Sequence, residues 1–522
     1  MRERRRALIC APLLPEYDRE SGSRRLFAFV EFLCESGWSV VYAARHAGGA
    51  ERYVELLRQR GVETFTRLDG ELEQAVASGQ FDLAIVAFWY IAEQCVPMIR
   101  RLSPRTRIAI DSVDLHFVRN ARRALHGGGE GQVPGALEPA FASELLRELN
   151  AYAAADAVLA VSDKEAALVD DLAGGPGLAF SVPDDEDLGR SSVPFAERNG
   201  ILFVANFRHP PNVEAAEYLF DEILPRLDGD LLAEHPVVVV GNALDQKLRS
   251  YLEASPPNVR MVGWVPSVVP YLERARVSVV PLLHGAGTKR KVIQSLMVGT
   301  PTVASSIGVE GLAIEPGRHA LVADDPTQFA EGIHRVIRDE SLWQQLADAG
   351  REHVLARHGR AAVRSRFDEA IRTVLSRQPK KLRLADAALP PLKNASDEYA
   401  RLVPRFCKAA SATLPRGARV AVVSKGDDQL LQLDGLVASH FPRATDGQYA
   451  GYYPADSAEA IAQLDRAIDS GIQYLAFPRT AFWWLEHYAD LRDHLEHDHH
   501  PLPTVEDSCH IFQLHTPSEV RV

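Results

Sequence analysis

The stretch that most constrains the fold of this 522-residue chain is the segment 285–311, GAGTKRKVIQSLMVGTPTVASSIGVEG. A glycine-rich turn leads into a helix, the helix ends at a glycine and a proline, and a β-branched strand and a second glycine turn follow. Gly285 and Gly287 let the backbone approach an anion, and a helix starting near Lys291 directs free N–H groups toward it. Lys289 adds positive charge. The pattern predicts a phosphate site; the alternative is an ordinary strand-turn-helix corner with solvated lysines.

The same segment resembles the C-terminal half of the GT-B glycosyltransferases of the GT4 (group 1) type. The resemblance continues upstream, in the segments 201–227 and 258–282, and in weaker form it covers about residues 5–370. It implies an α/β chain in which two Rossmann-like lobes face a cleft. It also implies the transfer of a sugar from a nucleotide-sugar donor.

Alternating apolar and amphipathic stretches support this architecture. Such βαβα order predicts parallel sheets covered by helices, with ligands at the carboxyl ends of the strands. The alternation restarts after the polar, proline-bearing stretch 182–200. We predict four parts: an acceptor-side lobe (1–185), a donor lobe (186–377), a linker (378–402) and a small α/β domain (403–522). In the last part, SKGDDQLL (424–431) and GQYAGYYPAD (447–456) resemble an accessory domain of bacterial polysaccharide biosynthesis proteins.

Composition excludes several classes of function. The chain carries 58 basic and 70 acidic residues, so its net charge of −12 disfavours nucleic acid as a partner. Its five cysteines are scattered and odd in number, which argues against a disulfide framework or a zinc site and favours the cytoplasm. The most apolar stretch, 81–99, contains Asp82 and Glu93 and predicts a buried strand and a helix rather than a membrane span.

Candidate donor-binding residues follow from the resemblance. Lys291 matches the phosphate lysine of the family, Lys289 lies beside the same turn, and Arg208 is a second cation candidate. Glu310, in the second glycine turn, is placed to accept hydroxyl groups of the donor; an exposed acid is the alternative. The wider family has two glutamates eight residues apart where this chain has Ala286 and Gln294. Gln294 can still form hydrogen bonds, but neither residue can ionise.

Candidate catalytic residues come from the first lobe. The sequence DSVDLHF (111–117) follows a predicted strand, so two carboxylates and a histidine are expected at the carboxyl edge of the sheet. We predict catalytic or sugar-positioning roles for Asp111 and His116, with Asp114 orienting the imidazole. Satisfied buried polar groups are the alternative. Gly22 precedes an amphipathic helix, as in a turn that faces the acceptor or a phosphate.

Metal chemistry has little support, so neither a metal nor a cofactor is expected. The acidic pairs in DGD (228–230) and DDED (184–187) lie in polar connections and are interpreted as solvated loops. Lysines and helix N-termini would neutralise the leaving diphosphate instead.

The sequence as a whole predicts a cytoplasmic, metal-independent glycosyltransferase of surface-polysaccharide assembly, and the resemblance implies that it retains the anomeric configuration. Its partners would be a nucleotide sugar and a glycan or lipid-linked acceptor, and the latter is compatible with peripheral membrane association. Two alternatives stay open: a nucleotide-sugar epimerase of the same fold, and a catalytically degenerate glycan-binding or scaffold module.

Overall fold

The computed structural model describes residues 4–18, 20–46, 51–68, 70–126, 139–207, 209–242, 258–381, 395–424, 426–443, 454, 456–502 and 508–514. The chain divides into two compact units, Met1–Ala385 and Asp386–Val522. The first unit contains two parallel sheets and the second contains a smaller mixed sheet.

The first sheet is built from apolar runs whose residues are buried on both faces, as expected for parallel strands covered by helices. All pairs are parallel, in the order β3-β2-β1-β4-β5-β6-β7. Its strands are β1 (Arg6–Leu13), β2 (Ser39–His46), β3 (Glu63–Phe65), β4 (Leu83–Ala87), β5 (Arg107–Asp111), β6 (Ala157–Ala160) and β7 (Ala179–Ser181). Its helices are α1 (Ser21–Glu35), α2 (Glu51–Gln59), α3 (Gly70–Gly79), α4 (Trp89–Leu102), α5 (His116–His126), α6 (Pro139–Ala154) and α7 (Asp163–Leu172).

The second sheet repeats this design with the order β10-β9-β8-β11-β12-β13, again parallel throughout. Its strands are β8 (Ile201–Asn206), β9 (Val237–Asn242), β10 (Val259–Gly263), β11 (Val277–Val280), β12 (Thr302–Ala304) and β13 (Leu321–Val322). Its helices are α8 (Pro210–Glu217), α9 (Gly229–Glu234), α10 (Val269–Arg274), α11 (Arg290–Val298), α12 (Pro326–Arg338) and α13 (Glu340–His358).

Helix α14 (Arg360–Ser376) packs against the first sheet rather than the second. Its Phe367 is buried, with its ring 4.7 Å from that of Phe29 and 5.6 Å from that of Phe32. The bridge between Glu186 and Gly359 lies where the chain passes between the two lobes in both directions. The lobes are therefore joined by two crossings of the chain. The domain boundaries themselves stay a prediction.

The second unit has the sheet order β15-β14-β16-β18-β17, in which β14 is parallel to β15 and β16 and the last two strands are antiparallel to their neighbours. Trp484 is fully buried in its core and Trp483 is only partly buried. The strands are β14 (Arg419–Val422), β15 (Val437–His440), β16 (Tyr474–Pro478), β17 (His500–Pro501) and β18 (Cys509–Gln513). The helices are α15 (Ala395–Thr413), α16 (Ser457–Asp469), α17 (Trp483–His487) and α18 (Ala489–Asp498).

A search of the described residues for a helix with the length and apolar character of a membrane span finds none.

Candidate active site

The glycine turn between β11 and α11 lies against the carboxyl edge of the first sheet. Gly285 has a φ of 147° and Gly287 a φ of 67°, conformations that side chains rarely adopt. A Cβ atom on Gly287 would lie 3.3 Å from the Cβ of Asp114, in the loop after β5. The turn therefore needs glycine for both its conformation and its close approach. It forms one wall of a cleft whose other wall is the edge of the first sheet.

Two lysines lie at the start of α11. Lys289 occupies the N-cap position, and its Nζ donates to the carbonyl groups of Ala286 (3.1 Å) and Gly287 (2.6 Å). The Nζ of Lys291 donates to Oδ1 of Asn212 (2.8 Å) and lies 5.5 Å from the ring centre of Phe203. The side chain of Lys289 offers no acceptor to the first turn of the helix, and its backbone carbonyl accepts from the N–H of Val292 at 2.9 Å.

Both amines sit in surroundings that disfavour their charge. Burial lowers the pKa of Lys289 to about 8. Burial, followed by the charge of Lys289, lowers the pKa of Lys291 to about 7. Their hydrogen-bond partners given above are neutral oxygens, but the carboxylates of Glu310, Glu165 and Asp114 act to raise the pKa of Lys289. Lys291 is therefore the amine at which an added anion would gain most. The anion site itself stays a prediction.

Glu310 is in the opposite state, because two cations of the first lobe hold it. Arg122, on α5, donates from both terminal nitrogens to its carboxylate, at 2.7 Å from Nη2 to Oε1, and from Nη1 also to the carbonyl of Gly285 at 2.6 Å. Lys164, on α7, contacts the same carboxylate. Burial acts to raise the pKa of Glu310, but these partners lower it to about 2. Glu310 thus ties the second lobe to the first.

Gln294 faces the segment that joins the lobes. Its Nε2 donates to Oε2 of Glu186 at 2.9 Å, and Arg290 pairs with the same carboxylate at 2.8 Å. Its amide therefore acts in the inter-lobe contact, and a role toward the donor stays a prediction.

The prediction that the acidic run 184–187 is a solvated loop is wrong for Asp185 and Glu186, whereas Asp187 is exposed. Asp185 and Glu186 are 3% and 5% exposed, because arginines from separate parts of the chain close over this segment. Asp184 accepts from the hydroxyl of Thr288 at 3.0 Å. The arginine partners of the run are Arg24, Arg25, Arg290 and Arg360. Asp228 and Asp230, by contrast, are exposed as predicted.

On the first-lobe wall, Asp111 is fully enclosed. It forms an ion pair with Arg25, whose Nε lies 2.9 Å and 3.1 Å from its two carboxylate oxygens, and its exposure is 0%. This is the satisfied buried pair that the sequence left open as an alternative. Gly22, the second residue of α1, touches the loop after Asp111, since a Cβ there would lie 3.1 Å from Cγ1 of Val113.

His116 has a defined tautomer. The indole Nε1–H of Trp89 donates to its Nδ1 at 3.1 Å, and an indole nitrogen can only donate. The neutral ring therefore carries its proton on Nε2, which lies 3.3 Å from Oδ1 of Asp114. Burial acts to raise the pKa of Asp114, but His116 and Arg119 hold it below its usual value. Asp114 thus contacts both the imidazole of His116 and the turn at Gly287, and the roles of the two residues toward the sugar stay a prediction.

Glu165 is the residue that the sequence most clearly failed to reveal. In SDKE (162–165), Ser162 accepts from the backbone N–H of Glu165 at 3.2 Å, the ordinary start of a helix. The Glu165 side chain, however, crosses the cleft and accepts from the N–H of Gly287 at 3.2 Å. Its Oε2 is buried without a partner among the described residues. Burial, followed by the charge of Asp114, raises the pKa of Glu165 to about 7.

Arg208, the second cation candidate, lies outside the described residues.

Comparison with known proteins identifies the lobe that carries the glycine turn. The model of the family "Glycosyl transferases group 1" matches residues 198–339. This range contains the glycine turn, both lysines, Gln294 and Glu310. We call this matched segment, residues 198–339, the group 1 domain. The predicted recognition is therefore confirmed for the donor lobe, while the resemblance of the C-terminal part to an accessory domain stays a prediction.

Relatives and solved structures extend this finding. Over 107 residues, this chain is 28% identical to the lipopolysaccharide core biosynthesis glycosyltransferase LpsE of Rhizobium meliloti (strain 1021). The match covers 20% of this chain and 31% of that protein. The fold resembles sucrose-phosphate synthase from Thermosynechococcus elongatus (TM-score 0.55, 16% identity, 71% of this chain and 100% of the other). It also resembles Anabaena Alr3699/HepE in complex with UDP (TM-score 0.54, 13% identity, 71% and 100%). The predicted GT-B fold is confirmed.

Proposed function

We propose that this protein transfers a sugar from a nucleotide-sugar donor to a glycan or lipid-linked acceptor. The observation that carries the proposal is the pair Lys289 and Lys291, buried at a helix start beside a glycine turn and bonded only to neutral oxygens in the contacts above. A buried ammonium with neutral partners is costly, so the site favours a ligand that brings negative charge. The diphosphate of a nucleotide sugar has that charge and fits a group 1 domain.

The leaving diphosphate sets the chemical task. Negative charge develops on its oxygen as the glycosidic bond breaks, and cations already in place stabilise that charge without reorganising. Lys291, Lys289 and the N-terminus of α11 would supply this stabilisation. We propose that no metal is required and that transfer retains the anomeric configuration. A related protein, Alr3699/HepE, is named as a complex with UDP, which makes a uridine nucleotide the first donor to test.

The opposite wall would position the sugar. The Nε2–H of His116 points to Asp114, and Nδ1 accepts from Trp89. Both ring nitrogens therefore already have partners within the protein. The carboxyl groups of Asp114 and Glu165 lie beside the glycine turn. Because its pKa is about 7, the carboxyl of Glu165 can carry a proton near neutral pH. We assign His116 and Asp114 to sugar positioning. Asp111, being enclosed by Arg25, supports the loop rather than touching the sugar.

We further propose a cytoplasmic site of action in surface-polysaccharide assembly. This rests on the name of one relative, which refers to lipopolysaccharide core biosynthesis, and on the free cysteines of the described residues. A lipid-linked acceptor would bring the enzyme to a membrane surface.

The test combines binding and transfer. Calorimetry with UDP compares the wild type with Lys291→Ala and with Lys381→Ala, an exposed lysine on the same unit that serves as the matched control. Transfer is measured with radiolabelled UDP-glucose and a glycan extract, with and without EDTA. Binding and transfer that survive EDTA support the proposal. Conversion of the donor sugar without transfer would indicate an epimerase, and binding without turnover a degenerate module.

A further inference from the structure

The second compact unit has its own cluster of chemically active side chains. Strands β14, β15 and β16 are mutually parallel, so their carboxyl ends lie on one edge of the sheet. Ser424 follows β14 by two residues and His440 ends β15, directly opposite Val422 in the register. Neither residue belongs to the group 1 domain, which ends at residue 339.

Ser424, His440 and Asp428 form a continuous hydrogen-bonded chain. The Oγ of Ser424 lies 2.6 Å from Nδ1 of His440, and Nε2 of His440 lies 3.1 Å from Oδ1 of Asp428. An ionised carboxylate can only accept, so Nε2 of the neutral ring carries the proton and Nδ1 presents its lone pair to the serine hydroxyl. This is the arrangement of a nucleophile, its general base and the group that orients the base.

The local backbone holds the serine in place. Gly426, with a φ of 83°, turns the chain back after the strand, and the N–H of Asp427 donates to the carbonyl of Ser424 at 3.0 Å. The N–H of Gly426 points to the Oγ of Ser424 at 3.4 Å. A backbone donor beside this oxygen favours negative charge on it as the proton leaves. The hydroxyl is therefore set both to lose a proton to His440 and to attack.

We propose that Ser424, His440 and Asp428 form a second catalytic site, which hydrolyses short-chain carboxylic esters. Ser424 is 1% exposed, so only a small acyl group such as acetyl can reach it. Oγ bonds to the ester carbonyl carbon while its proton passes to Nδ1 of His440. The bond to the alcohol oxygen then breaks, and the alcohol leaves with that proton. Water attacks the acyl-serine, gives one proton to His440 and releases the carboxylic acid as Oγ regains the proton.

The experiment uses the full chain and two small probes, a fluorophosphonate with short alkyl groups and no biotin linker, and p-nitrophenyl acetate. The fluorophosphonate is expected to label the wild type at Ser424, located by mass spectrometry of the digested protein. Ser424→Ala abolishes that label, whereas Ser470→Ala, an exposed serine of the same unit, keeps it. His440→Gln slows both labelling and acetate release by at least ~100-fold, the lower end for a general base. Asp428→Asn slows them less than about 10-fold, because its side chain is 88% exposed and water screens its charge.

The proposal is overturned if the folded wild type carries no label at Ser424, or if His440→Gln reacts as fast as the wild type. Circular dichroism of each variant establishes folding. Labelling of the unaltered chain decides the question even where a variant fails to fold. Because the assay contains no nucleotide sugar, its outcome is independent of the proposed glycosyltransferase activity.

Discussion

The two sides of the glycine turn are in opposite electrostatic states. On the lysine side, formed by Lys289 and Lys291, positive charge is buried against neutral oxygens. On the arginine side, formed by Glu310 with Arg122 and Lys164, a carboxylate is held by two cations. A buried ammonium whose hydrogen-bond partner is a neutral oxygen, as at Lys291, gains from an added anion, whereas removing one partner of a compensated ion pair destabilises the fold. The lysine side is therefore where an anion gains most.

The largest effect is expected from Lys291→Ala. Removing the ammonium removes a charge-assisted hydrogen bond to the diphosphate, which should weaken UDP binding by ~1.5 to 3 kcal/mol. Calorimetry measures this loss against the Lys381→Ala control. Unchanged UDP affinity would show that the lysine side is not the phosphate site, and the comparison between the two sides would lose its functional meaning.

The arginine side should respond in stability. Arg122→Ala breaks a two-pronged pair to a partly buried carboxylate and should lower the free energy of unfolding by about 1 to 3 kcal/mol. Lys164→Ala should cost less than about 1 kcal/mol, because the Lys164 side chain is 66% exposed and its charge is screened. Urea unfolding of the two variants measures the difference. Equal losses would mean that Arg122 has no special role in joining the lobes.

Because the pKa of Glu310 is low, the free energy of unfolding is also expected to depend on pH. Since the folded pKa, about 2, lies below the unfolded value, the stabilisation is fully present above an unfolded pKa of about 4.3. It is lost as the pH falls from that value toward 2. The stability of Arg122→Ala should therefore depend less on pH in this window than that of the wild type.

Local sequence patterns predicted that Lys289 and Lys291 lie beside the glycine turn, but they did not predict the contacts of Glu310 with Arg122 and Lys164. Gly285 to Lys291 is one contiguous stretch, so its turn, helix start and charges can be interpreted together. Arg122 and Lys164 stand on separate helices of the other lobe, and only the docking of those lobes brings them to Glu310. Long-range placement of this kind leaves no periodicity or spacing to detect.

The same distinction explains two other outcomes. The two parallel sheets follow from alternating apolar and amphipathic runs, which are local. The run 184–187 is polar in sequence, yet distant arginines cover it, so its burial could not be inferred. Glu165 shows the same limit, since SDKE predicts a helix cap whether or not the carboxylate crosses to Gly287.

A dependence on pH is also expected on the lysine side. A bound diphosphate raises the pKa of Lys291 above its free value of about 7, so binding takes up a proton. The affinity for UDP-glucose should be highest below pH 7 and should fall as the pH rises to 8.5, by at most about tenfold per pH unit. Lys291→Arg, which stays charged throughout, should flatten this dependence. An affinity that rises with pH in the wild type would contradict the assignment.

The smallest effect is expected from Glu165→Gln. Glu165 accepts from Gly287 N–H at the turn where the diphosphate is proposed to bind, and its pKa of about 7 makes it negative at pH 8. Its charge then opposes the ligand, and the isosteric amide removes that opposition while keeping an acceptor for Gly287. UDP-glucose should bind about 1 kcal/mol more tightly to the variant at pH 8, the scale of the interaction between two like charges ~4 Å apart in bulk water. At pH 6, where the carboxyl is protonated, the two proteins should bind UDP-glucose with the same affinity.

The control is Asp171→Asn, which replaces an exposed acid on the same helix and should leave the affinity unchanged at both pH values. If Glu165→Gln and the wild type had equal affinity at both pH values, the carboxylate of Glu165 would not lie close to the bound phosphates. The lysine side alone would then set the pH dependence of UDP-glucose binding.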